Sequence, residues 1–265
     1  MISFFTIPRE FNDKYNDIQI AAIQSWLSVD DDVEVWLVGN DSGVGKVSDF
    51  LGPRVHHIPG INRSPWKTPL IDDAFYQVTD VASHDILCYV NTDIFFAAGI
   101  KETVELVWDM FYPSTGWVIT GRRFDADEKY IKLFLAGYPL PSNRIQGEYH
   151  CRHGEDYFIF GKEVYGHRGH IPPFAVGRSA WDNWLLMDAQ NRKMETIDAT
   201  GTIDAMHLGA TKCHHIANDE YKYNQRLWRE NGGRDRAGWV DSTGWITKPG
   251  KLIPVVLHHR KVMNK

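Results

Sequence analysis

The sequence predicts an α/β protein, with a mostly parallel central sheet flanked by helices and an irregular C-terminal extension. Two observations carry this. Over roughly the first hundred residues, apolar runs of strand length alternate with segments of helical spacing, the pattern of parallel strands joined by crossover helices. The second half is less regular and denser in aromatics, glycine and histidine, the texture of binding loops laid over a regular sheet. A chain of 265 residues with ordinary apolar and charged fractions can bury one large core, so one domain with an extension is expected.

The elements follow in order. Ile2 to Ile7 reads as a first strand, stopped by Pro8. Ile20, Ile23 and Leu27 give helical spacing, and Val33 to Val38 is a second buried strand ending at Gly39. Thr68 and Pro69 read as a cap and a first-turn proline, opening a helix with Leu70, Ala74, Val78 and Val81 as its buried stripe. The strand that leads to Asp93 follows at once. Ile100, Val104, Val107, Trp108 and Phe111 predict another amphipathic helix, and 116–120 a further strand. Later strands are expected over 157–161 and 195–199, with a helix opening near Ser179 and a long loop over 138–154.

Composition excludes several classes. A net charge of −5 argues against a nucleic-acid protein, whose affinity for phosphates needs a surplus of clustered Lys and Arg. Only the tail from Lys248 is basic, with Lys251, Arg260, Lys261 and Lys265, and it reads as a solvated end with charged gatekeepers. Cys88, Cys151 and Cys213 are odd in number and far apart, which suits a reducing cytoplasmic setting better than a disulfide framework. The apolar N-terminal stretch is too short for a signal-peptide core, and no segment approaches transmembrane length.

Two stretches carry chemistry. In Asp85-Ile-Leu-Cys-Tyr-Val-Asn-Thr-Asp93-Ile-Phe-Phe, an apolar strand ends in Asn91 and Asp93, which alternation puts on one face. Oxygen-bearing side chains at a strand's carboxyl end suit a divalent cation and a ribose; a helix-capping role for Asp93 is the plainer alternative. In Ile171-Pro-Pro-Phe-Ala-Val-Gly-Arg-Ser-Ala-Trp-Asp182, a loop opens a helix and sets Asp182 in its first turn, at capping-box spacing from Ser179. Asp156, in Gly154-Glu-Asp156, reads on its own as a solvated carboxylate at a strand entry. Arg178 suits a planar fork on a diphosphate or a surface salt bridge. Gly39-Asn-Asp-Ser-Gly-Val-Gly-Lys46 imitates a phosphate loop, but Asn40 and Val47 replace its required Gly and Ser/Thr, so it is expected to be a flexible turn that leaves Asp41 facing a base or ribose.

With these residues in view, the order of elements resembles the GT-A fold of nucleotide-sugar glycosyltransferases. The likeness covers roughly residues 1–210, with 1–98 as nucleotide-binding half, 99–210 as acceptor and catalytic half, and 211–265 as an extension packed on the same domain. It implies that Thr6, Pro8 and Arg9 lie beside the nucleotide and that Asn91-Thr92-Asp93 stands in for an Asp-x-Asp motif, with Asn91 on the ribose and Asp93 on the cation. It also implies a metal-binding His, matched by His207, an inverting general base, matched by Asp182, and a strand lining the sugar pocket, whose Asp156 is then a sugar-hydroxyl ligand or a competing base. Imidazole favours Mn²⁺ over Mg²⁺. The implied donor is a UDP- or GDP-sugar, and the implied acceptor a glycan or a lipid-linked or protein-linked saccharide.

Other signals are less specific. Of ten tryptophans, Trp26, Trp36 and Trp108 are expected in the core, while Trp66, Trp181, Trp184, Trp228, Trp239 and Trp245 offer faces for sugar stacking. Cys213-His214-His215 lacks zinc-site spacing, though His214 or His215 suits a diphosphate. Two other classes stay open: a sugar nucleotidyltransferase, which needs a glycine-rich first loop that Thr6-Ile-Pro-Arg9 does not provide, and a noncatalytic carbohydrate-binding protein.

Overall fold

A computed structural model describes residues 1–114, 116–127, 129–136, 147–208, 218–234 and 237–255. The chain runs β1 (Ile2–Thr6), α1 (Asn16–Leu27), β2 (Val33–Val38), α2 (Val44–Leu51), β3 (Val55–Ile58), α3 (Ile71–Val81) and β4 (Ile86–Val90). It continues through β5 (Ile94–Phe96), α4 (Ile100–Phe111), β6 (Trp117–Thr120), β7 (Phe124–Ala126), α5 (Lys129–Leu135), β8 (Gly147–Tyr149) and β9 (Tyr157–Gly161). The rest comprises α6 (Trp181–Asn191), β10 (Glu195–Asp198), β11 (Ala205–Leu208), α7 (Asp219–Glu230), β12 (Trp245–Lys248) and β13 (Lys251–Pro254).

The predicted fold class is observed. A nine-stranded sheet has the order β13-β12-β10-β6-β9-β4-β1-β2-β3, parallel throughout β4-β1-β2-β3. That segment is Rossmann-like: the chain winds outward from β1 to β3, then returns past β1 to β4. β9 lies antiparallel between β4 and β6, and β12 extends the sheet from β10, so the C-terminal extension shares this sheet.

Burial on both faces explains the unbroken apolar strands. One face sends Phe4, Leu37, Cys88, Val90 and Ile159 against Ile23 and Trp26 of α1 and Val104 of α4. The other sends Phe5, Leu87, Tyr89, Phe158 and Phe160 against Phe75 and Val78 of α3 and Leu185 of α6.

Several expectations are corrected. The expected flexible turn after β2 instead leads into α2 through Gly43 at φ 89°, a left-handed step that glycine permits. Helix α3 starts at Ile71, because the backbone of Thr68 and Pro69 is used in a turn with Ser64 and a bridge to Arg63; Val81 is 46% exposed. The loop expected over 138–154 contains β8, and 138–146 lies outside the described residues. Trp181 and Trp184 are buried in the core, unavailable for stacking on a sugar, and Trp36 is only partly buried, stacked on His56. Cys213, His214, His215 and the tail beyond residue 255 also lie outside the described residues. No described helix is long and apolar enough to cross a membrane.

Candidate active site

The winding direction reverses between β1 and β4, and the carboxyl ends of the strands at such a reversal are where open α/β sheets bind ligands. The sequence-predicted residues gather at that edge. Thr6 closes β1 with its side chain buried, and its hydroxyl lies 2.7 Å from that of Thr92, tying together the ends of β1 and β4. Pro8 is buried and Arg9 exposed; the Arg9 backbone N–H donates to Gln19 Oε1 at 2.9 Å, which fixes the turn out of β1. Asp41 lies past the end of β2, paired with Arg63 at 2.9 Å.

The motif itself is not a strand end. β4 stops at Val90, and 91–93 form a tight turn closed by the Ile94 N–H donating to the Asn91 carbonyl at 3.0 Å. Alternation therefore does not set the direction of the two side chains. Asn91 turns to Asp156, donating to its Oδ1 at 2.8 Å, while Asp93 turns the other way, toward His207.

A second sheet, β5-β11-β7-β8, accounts for that meeting. Central β11 pairs antiparallel with β5 and parallel with β7, so His207 lies opposite Ile94 on one side and Asp125 on the other. Its Nε2 stands 3.4 Å from Asp93 Oδ2, and its Nδ1 is 3.3 Å from Asp125 Oδ1. The imidazole is buried, whereas the Asp93 and Asp125 side chains are 40% and 42% exposed. For Asp93, burial works to raise the carboxyl, but hydrogen bonding and charge from His207, with help from Arg123 and Arg9, outweigh it and hold it below the usual range. Burial likewise works to lower His207, and the Asp93 carboxylate overrides it and raises the imidazole.

Arg123 and Asp125 were not singled out from sequence. The guanidinium of Arg123 reaches both oxygens of Asp156 at 2.9 Å and Asp125 at 2.9 Å, and His150 lies 3.1 Å from Asp125. Asp156 is thus already engaged by Arg123 and Asn91. Arg178, the cation expected from sequence, is instead spent on buried Glu220 at 2.7 Å. Their signal was faint: Arg123-Phe-Asp125 has the alternation of a strand only three residues long.

Asp182 enters from the other side, in the first turn of α6. The N-cap there is Ala180, held at φ 81°, and no side chain caps the helix; the Ser179 hydroxyl accepts from Gln225 at 2.9 Å, so the capping box is not formed. The backbone turn costs about 1–3 kcal/mol for a residue other than glycine. Burial, helped by the negative charge of Asp156, pushes the Asp182 carboxyl up to about 7 against hydrogen bonds from backbone N–H groups. Its neighbour Glu155 is raised well above the usual range, by burial first and then by the Asp182 charge.

The arrangement suits a divalent cation in its chemistry. Asp93, Asp125 and Asp156 outweigh the one guanidinium among them, and an imidazole stands at the centre. Two ligands each ~2.1 Å from one ion, at an angle of ~108°, would have donor atoms about 3.4 Å apart, the separation of Asp93 and His207. Among the described residues, no group of three or more His, Cys, Asp or Glu is arranged to hold a metal ion, so the pair of Asp93 and His207 is the most this side-chain set offers.

No protein-family model matches the chain, and no curated protein sequence does. Among solved structures it is similar to the mannosyltransferase PcManGT from Pyrobaculum calidifontis, in complex with GDP-Man and Mn²⁺, at 13% identity and a TM-score of 0.49. That match covers 81% of this chain and 58% of the mannosyltransferase, so the chain spans little more than half of that structure's length. Glucosyl-3-phosphoglycerate synthase from M. tuberculosis is similar at 14% identity and a TM-score of 0.47, over 89% of this chain and 82% of that one. A putative glucose-1-phosphate thymidylyltransferase from Bacillus anthracis, in complex with a sucrose, is similar at 12% identity and a TM-score of 0.44, over 85% and 96%.

Proposed function

We propose that this protein is a metal-dependent glycosyltransferase that moves a sugar from a UDP- or GDP-sugar to a hydroxyl of a glycan or of a lipid-linked or protein-linked saccharide, with inversion. One observation carries the reading. The switch point of the sheet brings together a cation-suited pair, Asp93 and His207, and a half-buried carboxyl, Asp182, raised to about 7 at a helix start.

The residues divide the work. Thr6, Pro8 and Arg9 line the nucleotide at the end of β1, Asp41 faces the base or ribose, and Asn91 borders the ribose while holding Asp156. Asp93 and His207 would hold Mn²⁺ or Mg²⁺, with Asp125 beside the imidazole to fix its orientation. When bound, the ion supplies Lewis-acid stabilisation of the charge that develops on the departing diphosphate. Arg123, rather than Arg178, is the guanidinium whose charge acts on Asp93 and His207, although it is itself paired with Asp125 and Asp156. Asp182 takes the proton from the acceptor hydroxyl as its oxygen bonds to the anomeric carbon; the bond from that carbon to the phosphate oxygen breaks, and the diphosphate leaves with the electron pair. A base with a pKa near 7 is matched to this task at neutral pH. The free thiols Cys88 and Cys151 suit a reducing cytoplasm.

The test is a screen of UDP- and GDP-sugars for release of nucleoside diphosphate, with and without Mn²⁺, in the presence of simple glycosides. Metal-dependent turnover of one donor is expected. Glycan binding with no affinity for any nucleotide would replace the reading with a carbohydrate-binding one.

A further inference from the structure

The mechanism leaves Glu155 unused, although it is 2% exposed and sits one residue before Asp156 at the mouth of β9. Its Oε2 accepts from Asn183 Nδ2 at 3.0 Å, and its Oε1 is buried with no hydrogen-bond partner among the described residues. Asn183 in turn donates its backbone N–H to Asp182 Oδ1 at 2.9 Å. The same Asn183 amide reaches the Gly238 carbonyl at 3.3 Å, and a Cβ on Gly238 would come within 1.8 Å of the Asn183 carbonyl oxygen. Asn183 is therefore clamped between Glu155 and the 238 backbone, and it carries the first turn of α6 on which Asp182 stands.

We propose that Glu155 is a positioning residue that works as an uncharged carboxylic acid, holding Asn183 so that Asp182 faces the acceptor while adding no second negative charge beside the base. An ionised carboxylate with one oxygen buried and unpaired strands a charge, whereas the protonated acid strands only a neutral hydroxyl on Oε1, the smaller of the two costs. Burial and the Asp182 charge push the group the same way. The inference rests on the transferase reading for its kinetic consequence, but not for the protonation state of Glu155.

Glu155→Gln and Glu155→Ala separate the possibilities. The amide oxygen of glutamine keeps the Asn183 contact and preserves neutrality, so Glu155→Gln is expected to turn over within about tenfold of the wild type, with the acid limb of its pH profile in the same place. Glu155→Ala releases Asn183 and is expected to lose about a hundredfold or more in kcat with donor KM little changed. If Glu155→Gln moves the acid limb down by one pH unit or more, or loses as much activity as the alanine variant, the proposal is overturned. Infrared difference spectroscopy at pH 7 reads the acid without turnover: the wild-type minus Glu155→Gln spectrum is expected to carry a protonated-carboxyl band beyond that of the half-protonated Asp182 common to both, and a difference spectrum without that band overturns the proposal. A wild type that shows this band but turns over no nucleotide sugar would retire the transferase reading while leaving the neutral Glu155 in place.

Discussion

Replacing Asp182 with asparagine should make the protein more stable and far less active. An acid whose folded pKa lies above its unfolded value weakens the fold as pH rises. Its contribution is fully present below 3.8, declines between 3.8 and about 7, and stays lost above that. The difference corresponds to about 4 kcal/mol at pH 8, an upper figure because the Glu155 and Asp182 carboxyls titrate together. Asparagine fills the same volume and keeps an oxygen for the Asn183 N–H at 2.9 Å, so Asp182→Asn removes this loss without opening a cavity. Urea unfolding at pH 8 and at pH 4 reads it directly, with a clear rise in midpoint at pH 8 and little change at pH 4. Transfer should fall by about 10²–10⁴ because the base is gone, and the wild-type rate should drop about tenfold per pH unit below pH 7. A variant that is no more stable at pH 8, or that transfers at the wild-type rate, would refute the assignment of Asp182 as a half-buried, raised base.

Two further predictions concern the frame of the site. Arg123→Gln strands the buried carboxylate of Asp156 without its cation, so a loss of about 3–5 kcal/mol is expected in denaturant unfolding at pH 7. Gly99→Ala would place a Cβ 1.8 Å from the Thr202 carbonyl oxygen at a residue with φ 90°, pushing apart the start of α4 and the turn that feeds β11. A loss of more than about 2 kcal/mol is expected, read as a lower thermal midpoint, and weaker Mn²⁺ affinity should accompany it if His207 shifts.

The parallel half of the fold was legible because its strands are buried on both faces and read as continuous apolar runs; β2 has the predicted bounds, and β1 and β4 lie within theirs. Short α2 was hidden behind glycines that resemble a loop, and the start of α3 was misplaced because Thr68 and Pro69 serve a turn rather than a cap. In the site, Asp93 is visible as a polar residue ending an apolar run, whereas His207 and the base role of Asp182 come from the resemblance. What sequence did not reveal is the sheet that joins them. Strands β5, β7 and β8 have three residues each, and the pairing of His207 with Asp125 joins residues far apart in the chain, so no local period encodes it. Arg123 has no local signal for the same reason, and of the two readings of Arg178, a diphosphate fork or a salt bridge, the ion pair with Glu220, 42 positions away, is of the second kind.

The most direct test of the account is calorimetric titration of UDP and GDP into the wild type and into Asp93→Ala, each with and without Mn²⁺. The geometry at Asp93 and His207 predicts that one nucleotide binds at least about tenfold more tightly with Mn²⁺, and that the metal-dependent part disappears in Asp93→Ala while the urea midpoint stays within about 1 kcal/mol of wild type. Nucleotide affinity indifferent to Mn²⁺, or unchanged in the variant, would contradict the claim that this switch point is a metal-dependent nucleotide-sugar site.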